Sequence, residues 1–294
     1  MITPDVLRAF ADAATSRDEN DLIRGALCLP LIEHREIDAP SVAKQLTRLG
    51  ALATVRIERL GPKPTPQSQV EALNRLLFDE EGFRGNDERY EDPRNSYLNE
   101  VMARRKGLPI ALSVVYLDVA RRAGVPIEGV NFPGHFLVRY RTSAHHPDHP
   151  RDLVVDPFHA GAILGEADLR SLLRRHAGDE AAYDRRLLHS ATRAEILTRM
   201  AVNLKRLYVA MRSFPQAKAA TDMLLALDPL STTELRDRGL LSYHLHDFPA
   251  ALRDLENYLQ TTARGGPPSE DQREEVQQIW EHVKTLRRRV AGLN

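Results

Sequence analysis

Two polar residues of this 294-residue chain have the side chains and surroundings that acid–base chemistry needs. His135 begins the apolar run 135–141, and Asp156 ends the apolar run 152–156. Turn-forming residues separate the two runs, which predicts neighbouring antiparallel strands. Adjacent strands can bring the two side chains together, and a carboxylate then holds an imidazole in one tautomer. The pair is therefore the first candidate catalytic site.

A nucleophile and a metal-binding group are the other chemical candidates. Cys28 is the only cysteine, and its apolar segment is typical of a small core residue rather than a reactive thiol. Four metal-capable side chains also lie together in one loop: His145, His146, Asp148 and His149. The prolines of that loop favour an exposed connection that binds no metal. The sequence therefore predicts neither a metal site nor a cofactor.

Composition and charge limit the classes of function. Lysine plus arginine and aspartate plus glutamate each number 41, so the formal net charge is zero. Nucleic acid or an anionic membrane would favour a basic surplus. A single cysteine excludes an internal disulfide and fits a reducing compartment. Residues 1–20 lack the long apolar core of a secretory signal, and the apolar run 111–117 is too short to span a bilayer. We expect a soluble, cytoplasmic protein.

The first part of the chain, to about residue 87, has helical patterns throughout. Ser41 is predicted to be the N-cap of a helix that continues to about Leu60, where Gly61 and Pro62 interrupt it. Apolar residues at spacings of three and four predict a second helix over 66–78.

The middle part, from residue 90 to about residue 176, combines helices with strands. Apolar residues at steps of three and four over 108–123 predict one buried helix, with Pro109 tolerated in its first turn. Ser96 is predicted to cap a shorter helix before it. Strand-like runs follow at 127–131, 135–141 and 152–156. A buried helix followed by an antiparallel meander indicates an α+β fold.

The last part, from residue 184 onwards, repeats itself. Residues 203–227 align with 237–261 at an offset of 34 residues, which places Phe214 on Phe248. A helix pair of this length is the period of tetratricopeptide units. A final helix over about 270–290 is predicted to cap the repeats with an apolar stripe. The stripe is formed by Val276, Ile279, Trp280, Val283 and Leu286.

Four motifs follow one another in the middle of the chain, at 92–99, 104–110, 133–139 and 156–158. In this order they resemble the motifs of bacterial SirB-type proteins, which join a transglutaminase-like core to tetratricopeptide repeats. The resemblance implies a mostly helical α+β chain with a small antiparallel sheet in a papain- and transglutaminase-like core. It implies a core domain over residues 1–183, including the N-terminal helices, and a tetratricopeptide-like domain over residues 184–294.

The resemblance also implies a site of three groups, namely a cysteine thiolate at the start of a helix, a histidine and a carboxylate. His135 and Asp156 match the second and third groups, whereas Pro109 stands at the position of the nucleophile. Ser113 lies one helical turn farther on and is a substitute candidate, although a serine bonded to a backbone carbonyl is the more ordinary interpretation. Three residues are assigned to the cleft: Asn95, Asn99 and Phe158.

Two functional hypotheses follow from these residues. The first is a protein-interaction or regulatory module, a pseudoenzyme that binds an unidentified protein or peptide through the cleft or the tetratricopeptide-like surface. The second is a hydrolase or acyl transferase that uses His135 and Asp156 with an unconventional nucleophile. Neither a membrane nor a nucleic acid is an expected partner, because the sequence shows no basic stripe and no helix-turn-helix signal.

Overall fold

The computed structural model describes residues 2–16, 18, 20–142, 152–264 and 270–291. The chain divides into two compact units, each described here by itself. One unit is Ala13–Met200, and the other combines Met1–Asp12 with Ala201–Asn294. The predicted domain boundary between residues 183 and 184 stays a prediction. None of the helices in the described ranges is both long enough and apolar enough to cross a bilayer.

The first helices of the chain are α1 (Pro4–Thr15), α2 (Asp21–Ala26), α3 (Ala39–Arg59) and α4 (Pro66–Asn74). The prediction that Ser41 caps α3 is wrong. Asp38 is the N-cap, and its carboxylate accepts a hydrogen bond from the Ser41 N–H at 2.9 Å. Pro40 sits in the first turn of α3, where its missing N–H leaves no donor unpaired. After α4 the chain continues as a π-helical turn, Arg75–Glu80.

Helices α5 (Leu98–Arg104) and α6 (Pro109–Arg122) follow. Every residue of α6 up to Ala120 is buried, which confirms the buried helix predicted from its apolar spacing. The prediction that Ser96 caps α5 is wrong, because Tyr97 is the N-cap residue and makes no side-chain capping hydrogen bond. The helix that carries the apolar stripe is thus the central helix of this unit.

Among the described residues, four strands form an antiparallel sheet in chain order. They are β3 (Ile127–Val130), β4 (Leu137–Tyr140), β5 (Leu153–Asp156) and β6 (Ala162–Leu164). The first three confirm the predicted meander. Strand β6 was not predicted, because it is short and largely exposed. A separate parallel pair, β1 (Arg84–Gly85) with β2 (Lys106–Gly107), was not predicted either, since two residues carry no periodicity.

Helices cover both faces of the four-stranded sheet. On one face, helix α7 (Glu166–Ala177) packs its leucines against apolar side chains of β3, β4 and β5. Side chains alternate along a strand, so Val138 and Val155 point to the opposite face. There α6 contacts β3 and β4. The segment before β4 and the turn after β5 therefore lie between helices α6 and α7.

The repeated helices are α8 (Arg193–Ala210), α9 (Phe214–Leu227), α10 (Thr232–His244), α11 (Phe248–Arg264) and α12 (Glu270–Ala291). The boundary between the two units falls within α8, after Met200, and the other four helices belong to the second unit. Phe214 and Phe248 each begin the second helix of a pair, which confirms the 34-residue repeat seen in the sequence. Ile279 and Val283 of α12 pack into a core with α10 and α11. Trp280 is 39% exposed, so its assignment to the buried stripe is wrong.

Two close contacts hold the repeated helices together. Lys205 is buried, and its Nζ lies 2.7 Å from Glu234 Oε1 and 2.7 Å from Asp237 Oδ2. At Gly239, helix α10 approaches α11 so closely that an added Cβ would lie 2.6 Å from Leu255 Cδ2. The same Cβ would lie 3.3 Å from the Leu255 backbone nitrogen, which cannot move away as a side chain can.

In the Gly239→Ala variant the new methyl group overpacks against Leu255, which costs about 1–3 kcal/mol. The higher helix propensity of alanine offsets about 1 kcal/mol of this cost, so the free energy of unfolding is expected to fall by up to about 2 kcal/mol. Urea unfolding followed by circular dichroism measures the change.

Ser242→Ala, in the same helix, is the matched control. Ser242 is buried, and its hydroxyl has no hydrogen-bond partner among the described residues, so its removal costs little. A Gly239→Ala protein as stable as the wild type would contradict the close approach of the two helices.

Candidate functional site

The site is built around the buried carboxylate of Asp156. Strand β5 ends at this residue, and Asp156 is the N-cap of the 3₁₀ turn Pro157–His159 that follows. Its Oδ1 accepts a hydrogen bond from the Phe158 backbone N–H at 3.0 Å. Only 2% of Asp156 is exposed, and a buried charge requires partners of this kind.

His135 lies against this carboxylate. Its Nε2 is 2.9 Å from Asp156 Oδ1, and the residue is 6% exposed. When Asp156 is ionised, Nε2 is the donor, which leaves Nδ1 as the nitrogen available for other chemistry. The predicted pair is therefore brought together. His135 does not lie in the strand, however, but two residues before Leu137, where β4 begins.

A second histidine binds the other oxygen of the carboxylate. His159 Nδ1 is 2.7 Å from Asp156 Oδ2, and the rings of His135 and His159 stack with their centroids 5.9 Å apart. The His159 side chain is half-exposed, unlike that of His135. His159 was not predicted from the sequence. The available signal was its position three residues after Asp156, within a proline-containing turn.

Three neighbours restrict the ring of His135. Gly134 has a φ of 70°, and the side chain of His176 occupies the space that a Cβ at position 134 would need, so only glycine fits there. The His176 ring stacks on His135 at a centroid distance of 6.2 Å. The Phe158 ring meets His135 edge-on at 6.0 Å. His176 was not predicted as part of the site, because it lies on α7, far from His135 along the chain.

The residues predicted to line the cleft have different surroundings. Phe158 lies within the site, and its ring also contacts Tyr90 at 5.9 Å. Asn95 is fully buried, and its Oδ1 accepts a hydrogen bond from Asn86 Nδ2 at 2.9 Å. Asn95 therefore braces the chain before α6. Asn99 is half-buried, and its Oδ1 has no hydrogen-bond partner among the residues described.

The nucleophile candidates occupy separate places. Pro109 is buried at the first position of α6. Ser113 is fully buried and its Oγ has no hydrogen-bond partner in the described ranges, so the expected bond to a backbone carbonyl is wrong. Cys28 lies just after α2, where its Sγ donates to the Arg24 carbonyl at 3.4 Å. Burial raises the pKa of the Cys28 thiol to about 11.

Metal-capable groups occur in two places. The loop residues expected to be exposed and metal-free lie outside the described residues: His145, His146, Asp148 and His149. The site itself offers a set that the sequence did not predict, since one ligand atom each of His135, Asp156 and His159 lies within 4.8 Å of the others.

The protonation of the site follows from these contacts. Burial by itself raises the pKa of Asp156, but the hydrogen bonds and charges of His135 and His159 outweigh it and hold this pKa below its ordinary value of 3.8. Burial, together with the charges of His135 and Arg175, lowers the pKa of His176 below 6.5. At neutral pH the site therefore holds an ionised carboxylate beside a neutral His176.

The Asp156→Asn variant is expected to lose about 3 kcal/mol of stability at neutral pH, because buried donors lose their ionised acceptor. A folded pKa below 3.8 means that the carboxylate stabilises the fold fully above pH 3.8 and loses this effect as pH falls through the folded pKa. The difference in unfolding free energy between wild type and variant should therefore shrink below about pH 4. Urea unfolding at a series of pH values measures it.

Asp184→Asn is the control for this pH series. Asp184 is a half-exposed partner of the largely exposed Arg186, and such ion pairs contribute little to stability. The difference in unfolding free energy between the wild type and Asp156→Asn could instead stay constant down to about pH 3. That result would show that the ionised form of Asp156 is not the stabilising one.

Comparisons with known proteins agree with this architecture. A model of the transglutaminase-like superfamily matches residues 41–202, and a tetratricopeptide-repeat model matches residues 204–281. The chain is similar to a UPF0162 protein of Xylella fastidiosa (strain Temecula1), with 38% identity over 264 residues that cover 88% of this chain and 91% of that protein. A UPF0162 protein of Vibrio cholerae is 28% identical over 243 residues, which cover 83% of this chain and 87% of that protein.

A eukaryotic protein also shares part of the sequence. F-box only protein 21 of Homo sapiens is 34% identical over 189 residues, which cover 62% of this chain and 29% of that protein. The transglutaminase-like match contains His135 and Asp156, and the repeat match begins within α8 and contains α9, α10 and α11. The chain therefore belongs to the transglutaminase-like superfamily, in the SirB-type family that joins this core to tetratricopeptide repeats and has the UPF0162 proteins as relatives.

Proposed function

We propose that the chain is a protein-interaction or regulatory module whose transglutaminase-like core lacks the nucleophilic cysteine. The observation that carries this proposal is Pro109 at the first position of α6, where the family resemblance places the nucleophile. Proline has no nucleophilic atom and no N–H to stabilise an oxyanion. The hydrogen bond between His135 and Asp156 is then a retained structural contact that joins two strand ends.

The remaining nucleophile candidates support the same proposal. A thiol with a pKa of about 11, such as Cys28, is protonated at neutral pH, and the protonated form does not attack. Ser113 is fully buried one turn inside α6, away from the positive helix N-terminus. The described part of the core thus holds an oriented histidine without an activated nucleophile beside it.

The repeated helices supply a surface for a protein or peptide partner. Helices α11 and α12 enclose a recess of about 290 Å³, which Leu259, Val276 and Trp280 line with apolar surface. Trp280 is 39% exposed, and the Arg287 guanidinium lies 5.8 Å from the centre of its ring. Exposed tryptophan and arginine side chains often carry much of the binding energy of an interface. We propose that this module acts in the cytoplasm, because a reducing compartment suits a chain whose single cysteine cannot form an internal disulfide.

Affinity capture followed by binding measurements tests the partner surface. A partner bound by the wild type should bind the Trp280→Ala variant at least about tenfold more weakly, because truncation of an aromatic hot-spot residue costs about 2 kcal/mol or more. Leu230→Ala is the control, since Leu230 is 73% exposed elsewhere in the same unit. Isothermal titration with the purified partner measures the affinities.

A second variant tests whether the partner binds at the cleft rather than at the repeated helices. Tyr90 is 47% exposed, and its ring contacts Phe158, so Tyr90→Ala alters the mouth of the site without touching the helical repeats. Weaker binding to Tyr90→Ala alone would place the partner at the cleft. Capture that yields no protein above the bead background would count against the interaction module.

Hydrolysis or acyl transfer is the alternative function. The observation that favours it is the 2.9 Å contact between His135 Nε2 and Asp156 Oδ1, which is the geometry of an oriented general base. In this alternative a water molecule or the substrate supplies the nucleophile that the chain lacks. His135 Nδ1 would then take the proton from that nucleophile as its bond to the acyl carbon forms, and return it to the leaving amine or alcohol as the original acyl bond breaks.

Amidase, esterase and transamidation assays distinguish the two functions. The interaction module is expected to show no turnover above buffer. The alternative expects His135→Ala to lower kcat by about 10²–10⁴-fold, whereas His189→Ala, an exposed histidine of the same unit, leaves kcat unchanged. Circular dichroism establishes that His135→Ala is folded. Turnover that depends on His135 would replace the first proposal with the second.

A further inference from the structure

Three metal-capable side chains converge at the site: His135, Asp156 and His159. One ligand atom of each lies within 4.8 Å of the other two. We infer that these three residues bind a divalent transition-metal ion, with Zn²⁺ as the representative ion. This metal site is independent of the proposed interaction function, since binding modules and enzymes alike can hold a metal.

The donor set selects the class of ion. Zn²⁺ and other first-row transition metals accept imidazole nitrogen together with carboxylate oxygen. Mg²⁺ and Ca²⁺ prefer sites built from oxygen ligands alone. Two histidines and one aspartate fill three positions of a tetrahedral site, which leaves the fourth for water or another ligand. The three side chains therefore match an open zinc-type site.

The distances in the site are close to those that an ion requires. Ligand atoms 2.0–2.1 Å from a tetrahedral Zn²⁺ lie about 3.3 Å from one another. In this structure His135 Nε2 is 2.9 Å from Asp156 Oδ1, and His159 Nδ1 is 2.7 Å from Asp156 Oδ2. These two pairs use different oxygens of Asp156, and each needs to separate by about 0.5 Å to admit the ion. The ligand nitrogens of His135 and His159 lie within 4.8 Å of each other and need to be about 3.3 Å apart around the ion. His159 can make this movement, because its side chain is 52% exposed.

The other two ligands form the rigid part of the site. The side chains of His135 and Asp156 are 6% and 3% exposed. The Phe158 N–H holds Asp156 Oδ1, and His176 packs on the ring of His135. Groups that orient metal ligands in this way raise the affinity for the metal. Two ligands are thus held in place, and the third closes from the solvent side. The ion replaces the protons that His135 Nε2 and His159 Nδ1 donate to Asp156, so each imidazole then carries its proton on its other ring nitrogen.

A Zn²⁺ titration of the untagged, EDTA-dialysed full chain tests this site. Three loop histidines that could add background binding are first changed to alanine: His145, His146 and His149. In this background, competition with a chromophoric chelator should show one bound Zn²⁺ per chain. His159→Ala should lower the Zn²⁺ affinity at least about 100-fold, which exceeds the usual loss of an outer-shell partner. His189→Ala, an exposed histidine of the same unit, should leave the affinity unchanged.

Substitution by Co²⁺ gives a second readout that does not depend on affinity. Its visible absorption reports the coordination geometry, and the tetrahedral spectrum should disappear in His159→Ala, while circular dichroism shows that this variant is folded. Mg²⁺ should not displace Zn²⁺. The metal site would be overturned if the loop-substituted protein bound no Zn²⁺, or if His159→Ala bound Zn²⁺ as tightly as that protein does. It would also be overturned if His189→Ala weakened Zn²⁺ binding as much as His159→Ala does. Partner binding and turnover are measured separately, so the metal site and the proposed function can fail independently.

Discussion

The buried carboxylate of Asp156 is the interaction on which the rest of the site depends. A charge removed from water is unfavourable unless hydrogen bonds replace its hydration. The backbone N–H of Phe158 and the rings of His135 and His159 provide those bonds. These donors come from the turn after β5 and from the segment before β4. Satisfying one charge therefore fixes two loops relative to each other, whatever chemistry the site performs.

The central helix α6 explains how the nucleophile position can be lost while the fold is kept. Its residues up to Ala120 are buried between α3 and the sheet, so the helix is stabilised by packing rather than by its first residue. Pro109 suits the first helical position, because its missing N–H would have no partner there in any case. Fold and chemistry are separable at this position, and a binding function needs only the fold.

Local signals predicted most of the fold, and they failed where several residues compete for one role. The offset that places Phe214 on Phe248 predicted the helix pairs, since each pair is a local unit. The N-caps were assigned to the wrong serines, because Asp38 and Ser41 are both good capping residues and packing decides where the helix begins. Trp280 fits the apolar stripe by spacing, yet it lies outside the buried core cluster, on the wall of the recess that it shares with Leu259.

The sequence alone determined the types and order of the groups at the site: a histidine at the start of one strand-like run, an aspartate at the end of another and a proline at the start of the buried helix. Only the tertiary structure decided that His159 binds the second oxygen of Asp156, and that His176 of α7 packs on His135 against Gly134. His135 and His176 are 41 residues apart in the chain, so no local pattern relates them. They meet because the leucines of α7 pack against the sheet, and that packing sets where the last turn of the helix lies.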